Sequence, residues 1–183
     1  MLPKENIVFV HANPEDANMF HLYQTMLHGE NDIYFRNAKE CERLGTNRVK
    51  SFIIDSLKSP HSSLFVLKDM NTREIFAHIH IQVGQTARNN HKAELYLGVL
   101  KQFQGIGIGK KLMEIADFWA RKEGLERLQL SVFQSNERAI GFYKSQDFEI
   151  EGILKNGVKV ADNEYIDELI MGKIIEPIIF EEN

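Results

Sequence analysis

Gly105, Gly107 and Gly109 stand at alternate positions in "LGVLKQFQGIGIGKKLMEIADFWARKEG", between an apolar run and an amphipathic stretch. Glycine lets backbone N–H groups approach a ligand closely, and a helix start adds a dipole that favours anions. A strand, a glycine turn and a helix in that order can therefore cradle an anion. Two familiar cradles fail on spacing. A GxxxxGK loop followed by Ser or Thr is missing, because Gln104 stands five residues before Gly109 and Lys111 follows Lys110. A dinucleotide turn needs GxGxxG after βαβ units, whereas this chain has GxGxG after hairpin material. On spacing alone, a glycine turn without a ligand fits equally well. His78 and His80 share one face of a strand and could act as ligands or bases. No third ligand stands at metal spacing, so a structural role is expected and no metal.

The elements around these residues follow from periodicity and punctuation. "NIVFV" reads as a strand over 7–10, and Asn13, Pro14, Glu15 and Asp16 form a helix start, predicting a helix over 14–27. A second helix is expected from a Thr46 cap to a stop at Ser59–Pro60, with "HGENDIYFRN" as the loop between the two. "SSLFVLKDMNTREIFAHIHIQVG" predicts a hairpin of 63–68 with 74–83, and "AELYLGV" a further strand. After the glycines, Ile108, Leu112, Ile115, Ala116 and Trp119 recur at helical spacing, and Gly124 is a natural stop. "LERLQLSVF" alternates as a strand. "NERAIGFYK" reads as a short helix after a Ser135 or Asn136 cap, and "DFEIEGIL" and "YIDELIMGKI" as closing strands. Together these predict an α+β domain on one central mixed sheet over residues 6–173, followed by a tail, 174–183.

Composition narrows the function. The 183 residues suit one domain, and 22 Lys and Arg against 26 Asp and Glu give a net charge of −4 with no basic block to track a phosphate backbone. Nucleic acid is therefore not expected as a partner. The single Cys41 cannot form an internal disulfide, no apolar run spans a bilayer, and the opening residues lack a secretory pattern. These point to a soluble cytoplasmic protein without membrane contact. The apolar "IIEPIIF" of the tail packs either on its own domain or on a second subunit in a homodimer.

Gln104-x-x-Gly107-x-Gly109 opening a helix resembles the (Q/R)xxGx(G/A) pyrophosphate-binding motif of the GNAT superfamily of N-acetyltransferases. "LSVFQSNERAIGFYKSQDFEIEG" is similar to the second signature of that superfamily, a strand followed by Asn, a short helix and Tyr. The resemblance extends over about 6–173. One departure stands out: members usually carry Gly before the Phe of the closing turn, and here Asp147 precedes Phe148.

The resemblance implies a GNAT-like fold, with a mostly antiparallel twisted sheet flanked by helices, acetyl-CoA as donor and a small-molecule primary amine as acceptor. It implies that the backbone from Leu97 to Val99 holds the pantetheine arm, with an N–H near Val99 aimed at the thioester oxygen. Gln104 and the amides of Gly105, Gly107, Ile108, Gly109 and Lys110 would hold the pyrophosphate. Asn136 resembles the residue that contacts the CoA arm, and Tyr143 the one near sulfur, a general acid for the departing thiolate. Helical spacing alone would make Tyr143 a packing aromatic, and Asn136 a cap.

An alkylamine of pKa about 10 must lose a proton before it attacks. Glu94, on the strand before the glycines, is the first candidate base, acting through water; an ordinary exposed strand Glu is its rival reading. The acceptor is an amino acid or other small amine first, then a protein N-terminus, then a polyamine or aminoglycoside. A CoA-binding module without catalysis is the alternative from another class.

Overall fold

The structure is a computed structural model and describes residues 6–30 and 33–176. In chain order the elements are β1 (Ile7–His11), a single 3₁₀ turn (Pro14–Asp16), α1 (Ala17–Glu30), α2 (Ala38–Lys58), β2 (Ser62–Asp69) and β3 (Ile75–Val83). There follow β4 (Lys92–Val99), a second 3₁₀ turn (Lys101–Phe103), α3 (Ile108–Lys122), β5 (Arg127–Phe133), α4 (Glu137–Lys144), β6 (Glu149–Ala161) and β7 (Glu164–Ile174). The strands form a seven-stranded sheet in the order β1-β2-β3-β4-β5-β7-β6. β4 runs parallel to β5, while the β1–β2, β2–β3, β5–β7 and β6–β7 pairs are antiparallel. This is the expected mixed, mostly antiparallel α+β sheet. The described residues divide into two compact units, one of those up to 82 together with 96–112, the other of 83–95 together with 113–176.

In the first unit, the Asn13 side chain accepts from the Glu15 amide and the Asp16 carboxylate accepts from the Asn13 amide, so the expected helix start exists as a reciprocal cap. The same Asp16 is fully buried and takes both oxygens to the Lys68 ammonium of β2, at 2.8 and 2.7 Å. Arg73 reaches Asp16 at 2.8 Å from the turn after β2. Around this ion cluster, Phe20, Tyr23 and Leu27 of α1 pack with Val49 and Ile53 of α2 in one apolar cluster. α2 begins earlier than Thr46: Asn37 and Glu40 form a capping box, and Gly45, at φ 70° and ψ 155°, breaks the helix one residue before Thr46. The expected start is thus the point where the helix resumes after a glycine break.

In the second unit, α3 closes at Gly124, whose φ of +68° lets the Leu125 amide reach back to the Ala120 carbonyl. β5 is followed by α4, capped by Asn136. Asp147 adopts φ +66°, the conformation for which glycine is the usual choice, and the following Phe148 amide returns to the Tyr143 carbonyl. The departure from the family pattern therefore preserves the turn: the short polar side chain of Asp tolerates the left-handed region better than most, at a cost below that of a branched residue. β6 continues to Ala161, well past the expected Leu154, paired with β7 as far as Ala161↔Glu164; almost every residue in it is solvent-exposed, so no alternating pattern marks its length. Gly172 on β7 has no side chain where Arg127 of β5 meets Glu151 of β6; a Cβ there would lie 2.4 Å from the Arg127 guanidinium. β7 ends at Ile174, and the Ile175 amide bonds to the Glu126 carbonyl. The rest of the apolar tail, 177–183, lies outside the described residues.

Candidate active site

β4 pairs in parallel with β5 through Lys92↔Arg127, Ala93↔Leu128 and Glu94↔Gln129, and its closing residues up to Val99 lie in the first unit. The Leu100 amide bonds to the Phe76 carbonyl of β3 at 3.0 Å. Successive amides of an extended chain point to opposite edges, so the Val99 N–H is aimed away from β3. The Gln104 side chain bonds to the Val99 carbonyl at 2.8 Å, and the Lys101 amide bonds to Glu30 of α1 at 2.8 Å. These contacts fix the end of β4 from both sides. The side-chain amide of Gln104, expected as a pyrophosphate residue, thus donates to the strand end.

Gly105 and Gly107 have φ of +79° and +89°, values that side chains resist. A Cβ at Gly107 would meet nothing within 4 Å, so the space over the turn is open. α3 begins at Ile108, and its first intrahelical bond joins the Lys111 amide to the Gly107 carbonyl. The amides of Ile108, Gly109 and Lys110 thus head the helix with no carbonyl one turn back to accept them. Buried Ile108 and Leu112 anchor this turn from below. Aligned amides, the helix dipole and open space are the features by which a helix start can seat an anion.

Glu94, on the part of β4 that pairs with β5, is half-buried. Within the second unit, the Asn136 Oδ1 accepts from the Ala139 amide at 3.2 Å, so the cap reading holds for that oxygen. The Tyr143 ring packs between Phe142 and Phe148, with centroids 5.3 and 5.9 Å away. Burial pushes the Tyr143 phenol up to about 12, keeping it protonated and able to donate. Leu97 and Val99, Gln104 and the residues 105–110 lie together in the first unit; Glu94, Asn136 and Tyr143 lie in the second.

His78 and His80 make no metal site, and no group of metal-ligating side chains exists among the described residues. His78 bonds to the Tyr23 hydroxyl at 2.9 Å, and His80 to Ser62 at 2.9 Å while stacking on Tyr96. Burial lowers His80 to about 4, and burial with the neighbouring His80 and His28 lowers His78 to about 3. Both are therefore neutral in the folded chain, whereas the unfolded chain takes up these protons near 6.5. Their contribution to stability is complete above that pH and is lost as pH falls toward 4 and 3. Denaturant titrations between pH 7 and 4 should show the free energy of unfolding declining below about pH 6.5, and His80→Gln should remove about one proton's worth of the slope, some 1.4 kcal/mol per pH unit. An unaltered slope would mean that His80 is charged in the fold.

Sequence reading did not find Tyr23 or His78 as partners of β4. The available signal was Gly98, a glycine inside a strand, which marks the close approach of another group.

Known proteins can be set beside this geometry. The family model described as acetyltransferase (GNAT) family matches residues 18–148. The L-amino acid N-acetyltransferase AaaT of Escherichia coli (strain K12) is 32% identical over 105 residues, a stretch that covers 55% of this chain and 62% of that protein. The chain thus aligns with under two thirds of that relative's length. An acetyltransferase of the GNAT family from Streptococcus pneumoniae superposes with a TM-score of 0.84 at 26% identity, covering 92% of this chain and 99% of that one. The yncA acetyltransferase of Salmonella typhimurium, solved with acetyl-CoA, gives a TM-score of 0.78 at 14% identity over 97% of this chain and 99% of its own, a likeness of fold.

Proposed function

Since the chain belongs to the acetyltransferase (GNAT) family, we propose that it transfers the acetyl group of acetyl-CoA to the α-amine of an L-amino acid, with one domain over 6–173 carrying the reaction. The observation that carries the donor is the turn at Gly105 and Gly107, with positive φ at both glycines and the open head of α3 immediately behind. Its amides would take the pyrophosphate, and the end of β4, from Leu97 to Val99, would take the pantetheine arm. The acceptor class is supported by the L-amino acid N-acetyltransferase relative.

In the transfer the amine nitrogen bonds to the carbonyl carbon, the carbon–sulfur bond breaks, one proton leaves the nitrogen, and sulfur departs with its electron pair to be protonated. The Val99 N–H would steady the charge on the carbonyl oxygen, a contribution that grows toward the transition state. Asn136 would contact the CoA arm through its Nδ2, since its oxygen caps α4. Tyr143 would donate to sulfur. Glu94 would accept the amine proton through water.

A panel of L-amino acids assayed for release of free CoA thiol tests the assignment. The expected result is thiol release with α-amino acids and none with their N-acetylated forms. Binding of acetyl-CoA without thiol release from any amine would favour a CoA-binding module. For the base, Glu94→Gln should lower the rate near neutral pH and recover part of it as pH rises and free amine increases. An identical pH–rate profile would remove Glu94 from the mechanism.

A further inference from the structure

Gly98 is tightly enclosed on one side. A Cβ there would lie 2.4 Å from Cδ2 of Leu27, 2.9 Å from Cε1 of His78 and 3.0 Å from its Nδ1. The imidazole of β3 and the side chains of α1 thus pack directly against the backbone of β4. The Tyr23 hydroxyl, nearly fully buried on α1, lies 2.8 Å from the Gly98 carbonyl oxygen and 2.9 Å from His78 Nδ1. A phenol has one proton, and a carbonyl can only accept, so that proton goes to Gly98. The hydroxyl oxygen must then accept from His78, which places the imidazole proton on Nδ1. His78 donates to Tyr23, and Tyr23 donates to Gly98.

The Gly98 carbonyl and the Val99 N–H belong to one peptide group. That group is planar and trans, so its C=O and N–H point in opposite directions, and anchoring one fixes the other. A hydrogen bond to the carbonyl oxygen also draws charge out of the amide, and a chain of two such bonds strengthens each. The N–H at the far end becomes a better donor and is held in one direction. A side chain from α1, backed by a second from β3, bonds to this carbonyl at the residue before the amide on which the proposed chemistry depends.

We propose that Tyr23 and His78 are positioning residues, a two-bond relay that aims and polarises the Val99 N–H toward the thioester carbonyl. The inference rests on the reading of Val99 as the oxyanion donor. It adds that the donor is set up from behind by side chains that never touch substrate.

Two readouts separate this from ordinary packing. The carbonyl stretch of acetyl-CoA labelled with ¹³C at the acetyl carbonyl, measured by infrared difference on the bound donor, reports the polarising field directly. It should move to lower frequency on binding the parent and return toward the free value in Tyr23→Phe. In the same variant kcat should fall about tenfold, less than the hundredfold or more typical of removing a donor outright, because the N–H remains. The affinity for CoA, which has no acyl carbonyl, should stay within about twofold. His78→Leu should act in the same direction as Tyr23→Phe, and His78→Gln, which can still donate to the hydroxyl, should recover most of the shift.

A parent that shows no carbonyl shift on binding acetyl-CoA removes Val99 as donor and the relay with it. A parent shift that survives unchanged in Tyr23→Phe leaves the donor reading intact and overturns the relay alone. If Tyr23→Phe does not fold, the two His78 variants decide: equal carbonyl shifts in His78→Leu and the parent overturn the proposal.

Discussion

Lys68→Met should lower the free energy of unfolding by about 3 to 5 kcal/mol, the usual cost of removing one partner from a buried ion pair. Lys68 is 3% exposed and Asp16 fully buried, so the substitution leaves a carboxylate with little water to turn to. Two partners would remain: the Asn13 amide at 3.0 Å and Arg73, which is itself partly exposed. Burial by itself would raise the Asp16 carboxyl, but the hydrogen bonds from Lys68, Asn13 and Arg73 outweigh it and hold the group below its ordinary value. The pair's contribution is thus present above the ordinary carboxyl range near 3.8 and is lost as pH falls through the lower folded value. With Lys68 gone, burial should dominate and the carboxyl should titrate above its ordinary value. Urea titrations across pH would show both effects. The double variant Lys68→Met with Asp16→Leu should recover much of the loss, since an apolar pair of similar volume can replace a buried ion pair at little cost. A single-variant loss within about 1 kcal/mol would mean that Arg73 and the capped turn suffice to hold Asp16.

The residues of that pair also mark where sequence reading reaches its limit. α3 and its glycine turn could be read because their signals are local: apolar spacing, the glycines at 105 and 107, and the stop at Gly124 lie within one continuous stretch. The strands flanking them alternate over short runs and were equally plain. The capping box of Asn37 and Glu40 is also local, but Gly45 interrupts the helix between that cap and the apolar face after Thr46, so the spacing of that face points back only to Thr46. β6 gave no length signal because a strand exposed on nearly all its residues has no buried face to impose period two.

The remaining features depend on partners far apart in the chain. Asp16 and Lys68 are 52 positions apart, Tyr23 and His78 are 55 apart, and Tyr23 and Gly98 are 75 apart. A lysine in an apolar strand and a glycine in a strand interior each signal that something must meet them. Only the fold says what. The histidine pair shows the same limit: shared spacing on β3 placed both side chains on one face, while their separate partners, Tyr23 and Ser62, make them neutral structural groups and not metal ligands.

Tyr143→Phe should reduce kcat at least tenfold and toward a hundredfold, with CoA affinity nearly unchanged, because proton donation by a positioned group is typically worth about a hundredfold or more. The phenol, held near 12 by burial, remains in its donor form at every pH at which the enzyme would be assayed. Since the protonated form is the active one and its pKa is raised, no alkaline fall in kcat should arise from Tyr143 until pH approaches that value. A thiol titrates near 8.5 in water and a free phenol near 10, so complete transfer to sulfur would be uphill in an open site. Enclosure raises both groups, because each is a neutral acid that yields an anion. The phenol would therefore act chiefly by donating a hydrogen bond as the carbon–sulfur bond lengthens and negative charge collects on sulfur. That mode explains the lower bound, since a thiolate can also leave unaided. The packing alternative is concrete: contacts with Phe142 and Phe148 are retained by phenylalanine, so a packing residue would leave kcat within about twofold of the parent. A fall in CoA affinity at constant kcat would instead make the hydroxyl a holder of the donor. Measuring kcat, CoA affinity and the alkaline limb on one variant separates the three roles.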